Sequence, residues 1–392
     1  MFKNKKHAVI FVVMVLILLG LIAKQSIEEL TINKFGYFVK GPEFKDGIGS
    51  SYSRHSHIQL PDGRIVIFDN YSGRVRNLKF KSKIYDPKTN TLEAIDILPD
   101  KDWEYAGITI DNKALLLITK EKNKLESVLY DITENKIVKS FGYINARPYI
   151  LVGNRYIVYF SLTPKDEIRI QKLDITTNKL THVLTINTKE LCLDDFKSCV
   201  EIDKDKIFIY GCRPYILDIK NNKFEKLESS IKRCRPVTIK LSNSDILIFG
   251  GREVSTLYHY KNTCVPVAEV LDHKTLELKH VGRMKIPRCS YMSEGAGATL
   301  MNDGRVFIAG GQTVEFGKKF RFQLDIEETL RSTEIYNPKT STFELSANLK
   351  EKRTDAKLVT LKNGDIFVYN GSPSRGTYTL KTTEIFKVNK RR

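Results

Sequence analysis

The feature that most constrains the fold of this chain is a short phrase that recurs six times with one internal spacing. An apolar residue is followed by Asp or Asn and a polar turn, and a second apolar residue comes seven positions after the first. Asp and Asn start turns because their side chains accept hydrogen bonds from the backbone two residues ahead. The phrase therefore predicts two antiparallel strands whose apolar residues meet. The six pairs are Tyr85 with Leu92, Tyr130 with Ile137, Leu173 with Leu180, Leu217 with Phe224, Leu271 with Leu278, and Tyr336 with Phe343.

A second phrase, a turn followed by an almost wholly apolar run, precedes each hairpin and occurs a seventh time near the C-terminus. Runs that are apolar at consecutive positions are typical of strands covered on both faces by other sheets. The two phrases together predict a unit of about 50 residues with four short strands, which buries its faces by stacking on copies of itself. The seven runs lie at 62–68, 112–118, 154–160, 205–210, 245–249, 303–308 and 365–369.

The seventh unit is incomplete in this sequence. Its equivalent of the first apolar residue is Phe386, and the position seven residues on would be 393, beyond Arg392. Residues 29–39, ELTINKFGYFV, form a strand-like run ahead of the first unit. We predict that this run supplies the missing strand and closes a ring, which also removes an exposed sheet edge.

The repeated unit resembles kelch repeats, the blades of a β-propeller of the galactose-oxidase-like superfamily. Kelch blades carry a Gly-Gly doublet after the second strand and a Tyr followed seven residues later by a large aromatic residue; here Leu, Ile or Phe stands in place of the usual Trp. The resemblance implies an all-β, seven-bladed β-propeller of four-stranded antiparallel blades over residues 51–392. Six blades plus an irregular insertion is the alternative. The matching residues are Gly250-Gly251 and Gly310-Gly311 for the doublet and Tyr85, Tyr130 and Tyr336 for the tyrosine.

Two long loops follow second strands, at residues 251–267 and 312–332. They are expected to project from one face of the ring, where a binding surface would lie.

The first 24 residues differ from the rest of the chain. Three lysines precede an uncharged apolar stretch, residues 8–23. A helix of that length would measure ~24 Å, close to the ~30 Å of a membrane's hydrocarbon core. The stretch predicts a transmembrane signal anchor with the remaining chain outside the cytoplasm, and a cleaved signal peptide is the alternative. Residues 25–50 then form a linker and the ring-closing strand.

The net charge of +18 arises from single lysines and arginines spread along the chain. It indicates either a well-solvated surface or an anionic partner such as an acidic glycan, a lipid headgroup or an acidic protein patch. No nucleic-acid-binding motif or basic helix is present, so a nucleic-acid partner is not predicted.

Six cysteines lie in the middle of the chain without a Cys-x-x-Cys pair, so a zinc site is not predicted. In an exported chain one or two disulfides are expected, for example Cys192 with Cys199 or Cys212 with Cys234; buried thiols are the alternative.

Five arginines each come just before a predicted first strand. A propeller brings all its first strands around one channel, so these arginines would form a ring of guanidinium groups at its mouth. Guanidinium groups bind carboxylate, phosphate or sulfate through two hydrogen bonds. The alternative is that they bind carbonyl groups of neighbouring blades and hold the ring together. Glu294, near Arg288 in the sequence, is a candidate general acid or base, or an ion-pair partner. The five are Arg54, Arg147, Arg235, Arg288 and Arg353.

These observations predict a membrane-anchored extracytoplasmic kelch-repeat protein that binds a protein or an anionic ligand, with no cofactor. His55 and His57 share one strand face but lack a third metal ligand, and nothing selects the Tyr, Cys and two His of the copper oxidases with this fold. The alternative is a carbohydrate-active enzyme on the same scaffold, an epimerase or mutarotase of an acidic sugar. No nucleophile and base are recognisable as a pair.

Overall fold

A computed structural model shows how the chain folds. It describes residues 33–45, 56–68, 82–95, 97, 103–110, 113–121, 124–143, 149–187, 199–229, 231–256, 259–289, 296–315, 326–374 and 378–389. The predicted anchor at residues 8–23 lies outside these ranges. Among the described residues, no helix has the length and apolar character needed to cross a membrane.

The described residues form an all-β structure of nine small antiparallel sheets, with one short 3-10 helix at Asn33–Phe35. Seven of these sheets have four strands each, and we number them sheets 1 to 7 in chain order. The all-β prediction is confirmed, and each of the seven apolar runs provides the second strand of one sheet.

The strand bounds are as follows. Sheet 1 contains Ser56–Gln59, Ile65–Phe68, Ser82–Asp86 and Thr91–Ile95; sheet 2 contains Trp103–Ile110, Lys113–Glu121, Lys124–Asp131 and Lys136–Tyr143. Sheet 3 contains Tyr149–Val152, Tyr156–Leu162, Glu167–Asp174 and Lys179–Asn187; sheet 4 contains Cys199–Glu201, Lys206–Tyr210, Pro214–Asp218 and Lys223–Lys226. Sheet 5 contains Val237–Lys240, Ile246–Phe249, Val267–Leu271 and Leu278–Arg283; sheet 6 contains Gly297–Leu300, Val306–Ala309, Thr333–Asn337 and Thr342–Ser346. Sheet 7 contains Lys357–Thr360, Ile366–Tyr369, Glu384–Val388 and Gly36–Lys40.

Apart from Arg233–Cys234, the strands of the two remaining sheets lie in the segments that the sequence predicted as long loops. One contains Arg233–Cys234, Arg252–Thr256 and His259–Cys264, and the other is a hairpin of Gln312–Glu315 and Ile326–Thr329. Both segments are therefore partly strand, and the two lie side by side. These strands are not predictable from the repeat, because neither segment has the turn and apolar run that mark the other hairpins.

The hairpin prediction is confirmed in all six units. In each, the first apolar residue lies directly opposite the one seven positions later. The rings of Tyr336 and Phe343, for example, have their centres 4.8 Å apart. The turn chemistry is also as expected: Asp131 Oδ1 accepts the backbone N–H groups of Thr133 and Glu134 at 2.9 and 3.0 Å.

The fourth strand of sheet 7 comes from the N-terminal side of the chain. Gly36–Lys40 pairs antiparallel with Glu384–Val388, and Phe38 lies opposite Phe386. Phe38 is 5% exposed and packs on the rings of Phe386 and Phe307, with centres 5.1 and 6.2 Å away. Phe38 thus occupies the place that the residue seven positions after the first apolar residue fills in the other six units.

The seven four-stranded sheets pack on one another in chain order, and the order returns to its start. Shared apolar clusters join sheets 1 and 2, 3 and 4, 4 and 5, 5 and 6, and 6 and 7, and the first strands of sheets 2 and 3 lie together. Sheet 7 also packs on sheet 1, where Tyr85 and Phe367 stack with ring centres 4.0 Å apart. The second strands of sheets 1, 5, 6 and 7 are fully buried, which agrees with their unbroken apolar sequence.

Candidate functional site

The antiparallel order gives each four-stranded sheet two distinct ends. One end holds Arg288 and Arg353, and we call it the arginine end. The first and third strands of each sheet begin at this end, and the second strand finishes there. The Asp- and Asn-initiated turns between third and fourth strands lie at the opposite end, which we call the turn end. Each predicted site residue that the structure describes lies at the arginine end.

Arg288 holds the segment before sheet 6 against the third strand of that sheet. Its guanidinium group donates hydrogen bonds to the carbonyl oxygens of Gly310 and Ser332 at 2.8 and 2.9 Å, and to Glu334 Oε1 at 2.7 Å. The side chains of Arg288 and Glu334 are both fully buried. Glu334 also accepts the backbone N–H of Lys285 at 2.8 Å, so the pair fastens the segment at two points.

Arg353 repeats this arrangement in sheet 7. It donates to Glu384 Oε1 at 3.2 Å, to the carbonyl oxygen of Asn370 at 2.8 Å and to Thr382 Oγ1 at 3.0 Å. Glu384 accepts the backbone N–H of Lys350 at 2.6 Å. Burial lowers the pKa of the Arg353 guanidinium group, while the charge of Glu384 acts in the opposite direction.

In sheet 5 the equivalent residue is Arg233, which is not among the five arginines predicted from the sequence. Arg233 donates to the carbonyl oxygens of Gly250 and Val267 at 3.1 and 2.8 Å and to Glu269 Oε2 at 3.1 Å. The predicted Arg235 is partly exposed two residues later, and its backbone N–H bonds to Gly211 O at 2.9 Å.

A sequence signal for these pairs exists. The acidic partner lies two residues before the first apolar residue of the hairpin phrase, and among the seven units only sheets 5, 6 and 7 have Glu there. Aligning the units on that position would have identified Glu269, Glu334 and Glu384 as partners for buried cations.

The predicted arginine ring is therefore described only in part. Arg54, Arg147 and Glu294 lie outside the described residues. Arg288 and Arg353 are 1% and 0% exposed, and their guanidinium groups bind acceptors of the protein itself. This geometry accounts for both as residues that hold a sheet together, and ligand binding by them stays a prediction.

Two disulfides lie beside the buried arginines. Cys212–Cys234 joins the turn between the second and third strands of sheet 4 to the segment before sheet 5. Cys264–Cys289 joins the three-stranded sheet to the segment before sheet 6. Cys234 and Cys289 directly follow Arg233 and Arg288. One of the two pairings offered from the sequence is thus present; Cys192, in the other, lies outside the described residues.

A cavity of about 480 Å³ lies between the first strands of sheets 1, 6 and 7. Its polar side chains are His57, Gln59, Thr299 and Thr360, and apolar side chains of the same strands complete the lining. His57 Nδ1 is 3.0 Å from the Tyr369 hydroxyl. Burial, helped by the charge of Lys357, lowers the pKa of His57 to about 4, so the imidazole is neutral near pH 7.

Among the described residues, one group has three side chains placed to share a metal ion: Asp245, Asp272 and His273, at the turn end. His273 Nδ1 is 2.8 Å from Asp245 Oδ1, and the same oxygen accepts the backbone N–H of His273 at 3.0 Å. Asp272 Oδ1 accepts two backbone N–H groups of its own turn. These contacts explain the group as part of the turn.

Searches for related proteins support the fold without showing a family. No protein-family model and no curated protein match the chain. A similar solved structure is a fungal alcohol oxidase of the AA5 family, in complex with copper, with a TM-score of 0.64 and 12% sequence identity. The match covers 91% of this chain and 76% of that chain. At such low identity the likeness shows a shared all-β fold and nothing more.

The described residues do not fit a copper site. Copper in proteins favours imidazole and thiolate or thioether ligands. The cavity lining has one imidazole, His57, and no thiol or carboxylate among the residues that the structure describes. His273 is at the turn end with two carboxylates, so it does not join His57 in one site.

Proposed function

We propose that the chain is a kelch-type β-propeller in which sheets 1 to 7 are seven blades. The cyclic packing of the sheets supports this assignment, because a closed ring leaves no sheet with an uncovered face. The strand supplied to sheet 7 by residues 36–40 supports it further, since pairing of an early strand with a late one closes a ring of sheets. The Gly-Gly doublets after the second strands of sheets 5 and 6 match the kelch pattern.

The propeller is held at a membrane by residues 8–23 and lies outside the cytoplasm. The lysines before this stretch support that orientation. The disulfides Cys212–Cys234 and Cys264–Cys289 support it independently, because disulfides persist in oxidising compartments and are rare in the cytoplasm. The full-length chain should stay with the membrane after carbonate extraction; release into the supernatant would favour a cleaved signal peptide.

The propeller acts as a binding module for an anionic ligand, either an acidic glycan or an acidic protein surface. The observation that carries this proposal is an exposed lysine that occurs at the same place in two neighbouring sheets, at the arginine end. Lys285 and Lys350 each lie three residues before a buried arginine, with their backbone N–H groups held by Glu334 and Glu384. Two cations are thus held at equivalent places in neighbouring blades, on a chain of net charge +18.

The test is retention on heparin–agarose, with a matched pair of double variants in the full-length protein. Lys285→Glu with Lys350→Glu changes the arginine end, while Lys274→Glu with Lys339→Glu changes exposed lysines in the turns of sheets 5 and 6. Each double variant lowers the net charge from +18 to +14, because each of its two exchanges replaces a positive charge by a negative one. The first should elute at clearly lower salt than the second. Equal shifts would contradict a binding face at the arginine end.

The alternative, an epimerase or mutarotase of an acidic sugar, has less support. Such an enzyme needs a general acid and a general base near one bound sugar. His57 is the one titratable residue that lines the cavity among the described residues, and no carboxylate lies beside it there.

A further inference from the structure

A third lysine, Lys45, occupies the place that Lys285 and Lys350 have at the arginine end. Each of the three is exposed and directly follows an apolar residue that is almost fully buried. The backbone N–H of that apolar residue donates, at 2.9 Å in each case, to a carbonyl oxygen just before the third strand of the same sheet. These bonds run from Met284 to Pro266, from Leu349 to Arg331 and from Phe44 to Lys381. Sheets 5, 6 and 7 therefore each have a lysine at one repeated place.

A second exposed cation accompanies each of these lysines. In sheet 6, Leu349 N donates to Arg331 O, and Arg331 Nε donates to Leu349 O at 2.8 Å, which holds Arg331 beside the residue that precedes Lys350. In sheet 7, the carbonyl group that accepts from the residue before Lys45 belongs to a lysine. In sheet 5, the fourth strand ends on an exposed arginine, two residues before the lysine. We call these six residues the cation row: Arg283, Lys285, Arg331, Lys350, Lys381 and Lys45.

The acidic side chains near the cation row have cationic partners of their own. The pairs are Glu334 with Arg288, Glu384 with Arg353, Glu43 with Lys40, and Glu328 with Lys352. Glu351 is partly buried, and its charge acts on Arg353 and Lys40. None of the six cations forms an ion pair with another residue in the part of the chain that the structure describes. A group of like charges without local compensation attracts ions of the opposite charge.

We propose that the cation row binds one linear polyanionic glycan, which lies across sheets 5, 6 and 7 at the arginine end. Packed sheets lie about 10 Å apart, so equivalent places in three successive sheets span about 20 Å or more. A small anion reaches the cations of one sheet, whereas a chain with regularly repeated charges reaches those of all three. The cations repeat from sheet to sheet, which favours a glycan of repeating units over the irregular surface of an acidic protein. The inference rests on the proposed function, because it concerns the same face of the molecule.

The experiment is isothermal titration calorimetry of the full-length protein in detergent with heparin oligosaccharides of defined length. A disaccharide is long enough for the cations of one sheet, and a decasaccharide is long enough for those of all three. The decasaccharide should bind about a hundredfold more tightly, because linking several binding groups raises affinity by about 10²–10⁴. Equal affinities for the two oligosaccharides would overturn the proposal.

Lys45→Met tests the row at a lysine that the heparin–agarose variants leave in place. It should weaken binding of the decasaccharide about threefold to fivefold, as expected for one exposed ion pair, and change binding of the disaccharide less than about twofold. Thermal melting should show no loss of stability, since Lys45 is exposed. An unchanged decasaccharide affinity would contradict the row.

A matched pair of triple variants separates the row from the effect of net charge. One changes Lys45, Lys285 and Lys350 to Met, and the other changes three exposed lysines in equivalent turns of sheets 4, 5 and 6, so each lowers the net charge from +18 to +15. The first should weaken decasaccharide binding at least about tenfold more than the second, because its three charges lie along the bound chain. Equal losses would overturn the row. The lysines of the second set are Lys220, Lys274 and Lys339.

Poly-L-glutamate of the same total charge represents an acidic protein segment. It should bind more weakly than the decasaccharide, since a flexible polypeptide loses more conformational freedom on binding. Binding as tight as that of the decasaccharide would overturn the choice of a glycan.

Failure of the row is distinguishable from failure of the proposed function. Loss of heparin–agarose retention in the Lys285→Glu, Lys350→Glu variant, with equal affinities for the two oligosaccharides, would remove the row and leave the binding face in place. If that variant elutes with its turn-end control, the binding face itself fails.

Discussion

Sheets 2 to 4 and sheets 5 to 7 share one repeated unit, but the polar contacts that the structure describes in them differ. In sheets 5 to 7, buried Arg–Glu pairs hold the segment before each sheet at the arginine end. In sheets 2 and 3, lysines reach the next sheet at the turn end: Lys139 donates to Ile175 O, and Lys172 donates to Ile219 O at 2.7 Å. The apolar stacking is common to both halves, and the buried Arg–Glu pairs among the described residues belong to sheets 5 to 7.

The kelch-like glycines occur in the half that has the buried arginines, and a close approach explains this. A Cβ atom on Gly310 would lie 2.1 Å from Arg353 O, and one on Gly250 would lie 2.6 Å from Arg288 O. Both glycines also have positive φ, near 67° and 66°. Glycine at these places lets the arginine segment of the following sheet come close. The comparison teaches that the doublet and the buried ion pair form one device in the described part of sheets 5 and 6.

The largest expected effect comes from breaking one buried pair. Arg288→Met should lower the free energy of unfolding by about 3–5 kcal/mol, because it leaves the Glu334 carboxylate buried without its counter-charge. Lys172→Met in sheet 3 should cost below about 1 kcal/mol, since it removes a single hydrogen bond at a partly buried place. Urea unfolding measures both.

A control follows from the same reasoning. Adding Glu334→Gln to Arg288→Met removes the stranded charge and keeps an acceptor for the backbone, so it should restore part of the loss. Equal costs for Arg288→Met and Lys172→Met would show that the two halves do not differ as the contacts suggest.

The next largest loss of stability is expected from a change in the strand that completes sheet 7. Phe38→Ala should cost about 3–5 kcal/mol, the usual loss when a buried Phe becomes Ala. Leu180→Ala changes the equivalent place in sheet 3, where the side chain is 43% exposed, and should cost below about 1 kcal/mol. Thermal and urea unfolding compare them; a small effect for Phe38→Ala would mean that sheet 7 does not depend on the early strand.

The Cys264–Cys289 disulfide should matter only in the half that contains it. Replacing Cys264 and Cys289 by Ser opens a loop of 25 residues and should cost about 3 kcal/mol by loop-closure entropy. Hydrogen exchange should quicken in sheets 5 and 6 and stay the same in sheets 2 and 3. Uniform quickening over all seven sheets would argue that the ring behaves as one unit.

The smallest effect concerns His57, at the junction of sheets 1 and 7. Its pKa is about 4 in the folded chain and 6.5 ordinarily, so the unfolded chain takes up the proton first as the pH falls. Stability is therefore full above pH 6.5 and falls between pH 6.5 and 4, with a loss of at most about 2 kcal/mol from pH 7 to pH 5. His57→Asn should lose less over that interval, as urea unfolding at the two pH values would show; an identical slope would contradict the shifted pKa.

Much of the fold follows from short-range features of the sequence. The paired residues seven positions apart, the Asp and Asn turns and the apolar second strands all depend on contacts within one hairpin or one strand. The incomplete seventh unit pointed to the early strand because the repeat left one place unfilled.

Less of the candidate site than of the fold could be predicted from the sequence. The position of Arg235 before a first strand predicts it as the site residue, whereas Arg233 makes the ion pair. The two arginines are two positions apart in the sequence, and only the folded chain shows that Arg233 is buried and Arg235 is partly exposed. The cavity joins His57 to Thr299 and Thr360, far apart in the chain, so no local pattern marks it.

The sequence by itself determined the hairpins, because turn hydrogen bonds and strand alternation act over a few residues. Only the tertiary structure decided which arginines are buried, which cysteines pair and where a cavity opens, because these depend on which sheet packs beside which. Arg288 and Glu334 are 46 residues apart and meet only once sheet 6 has formed.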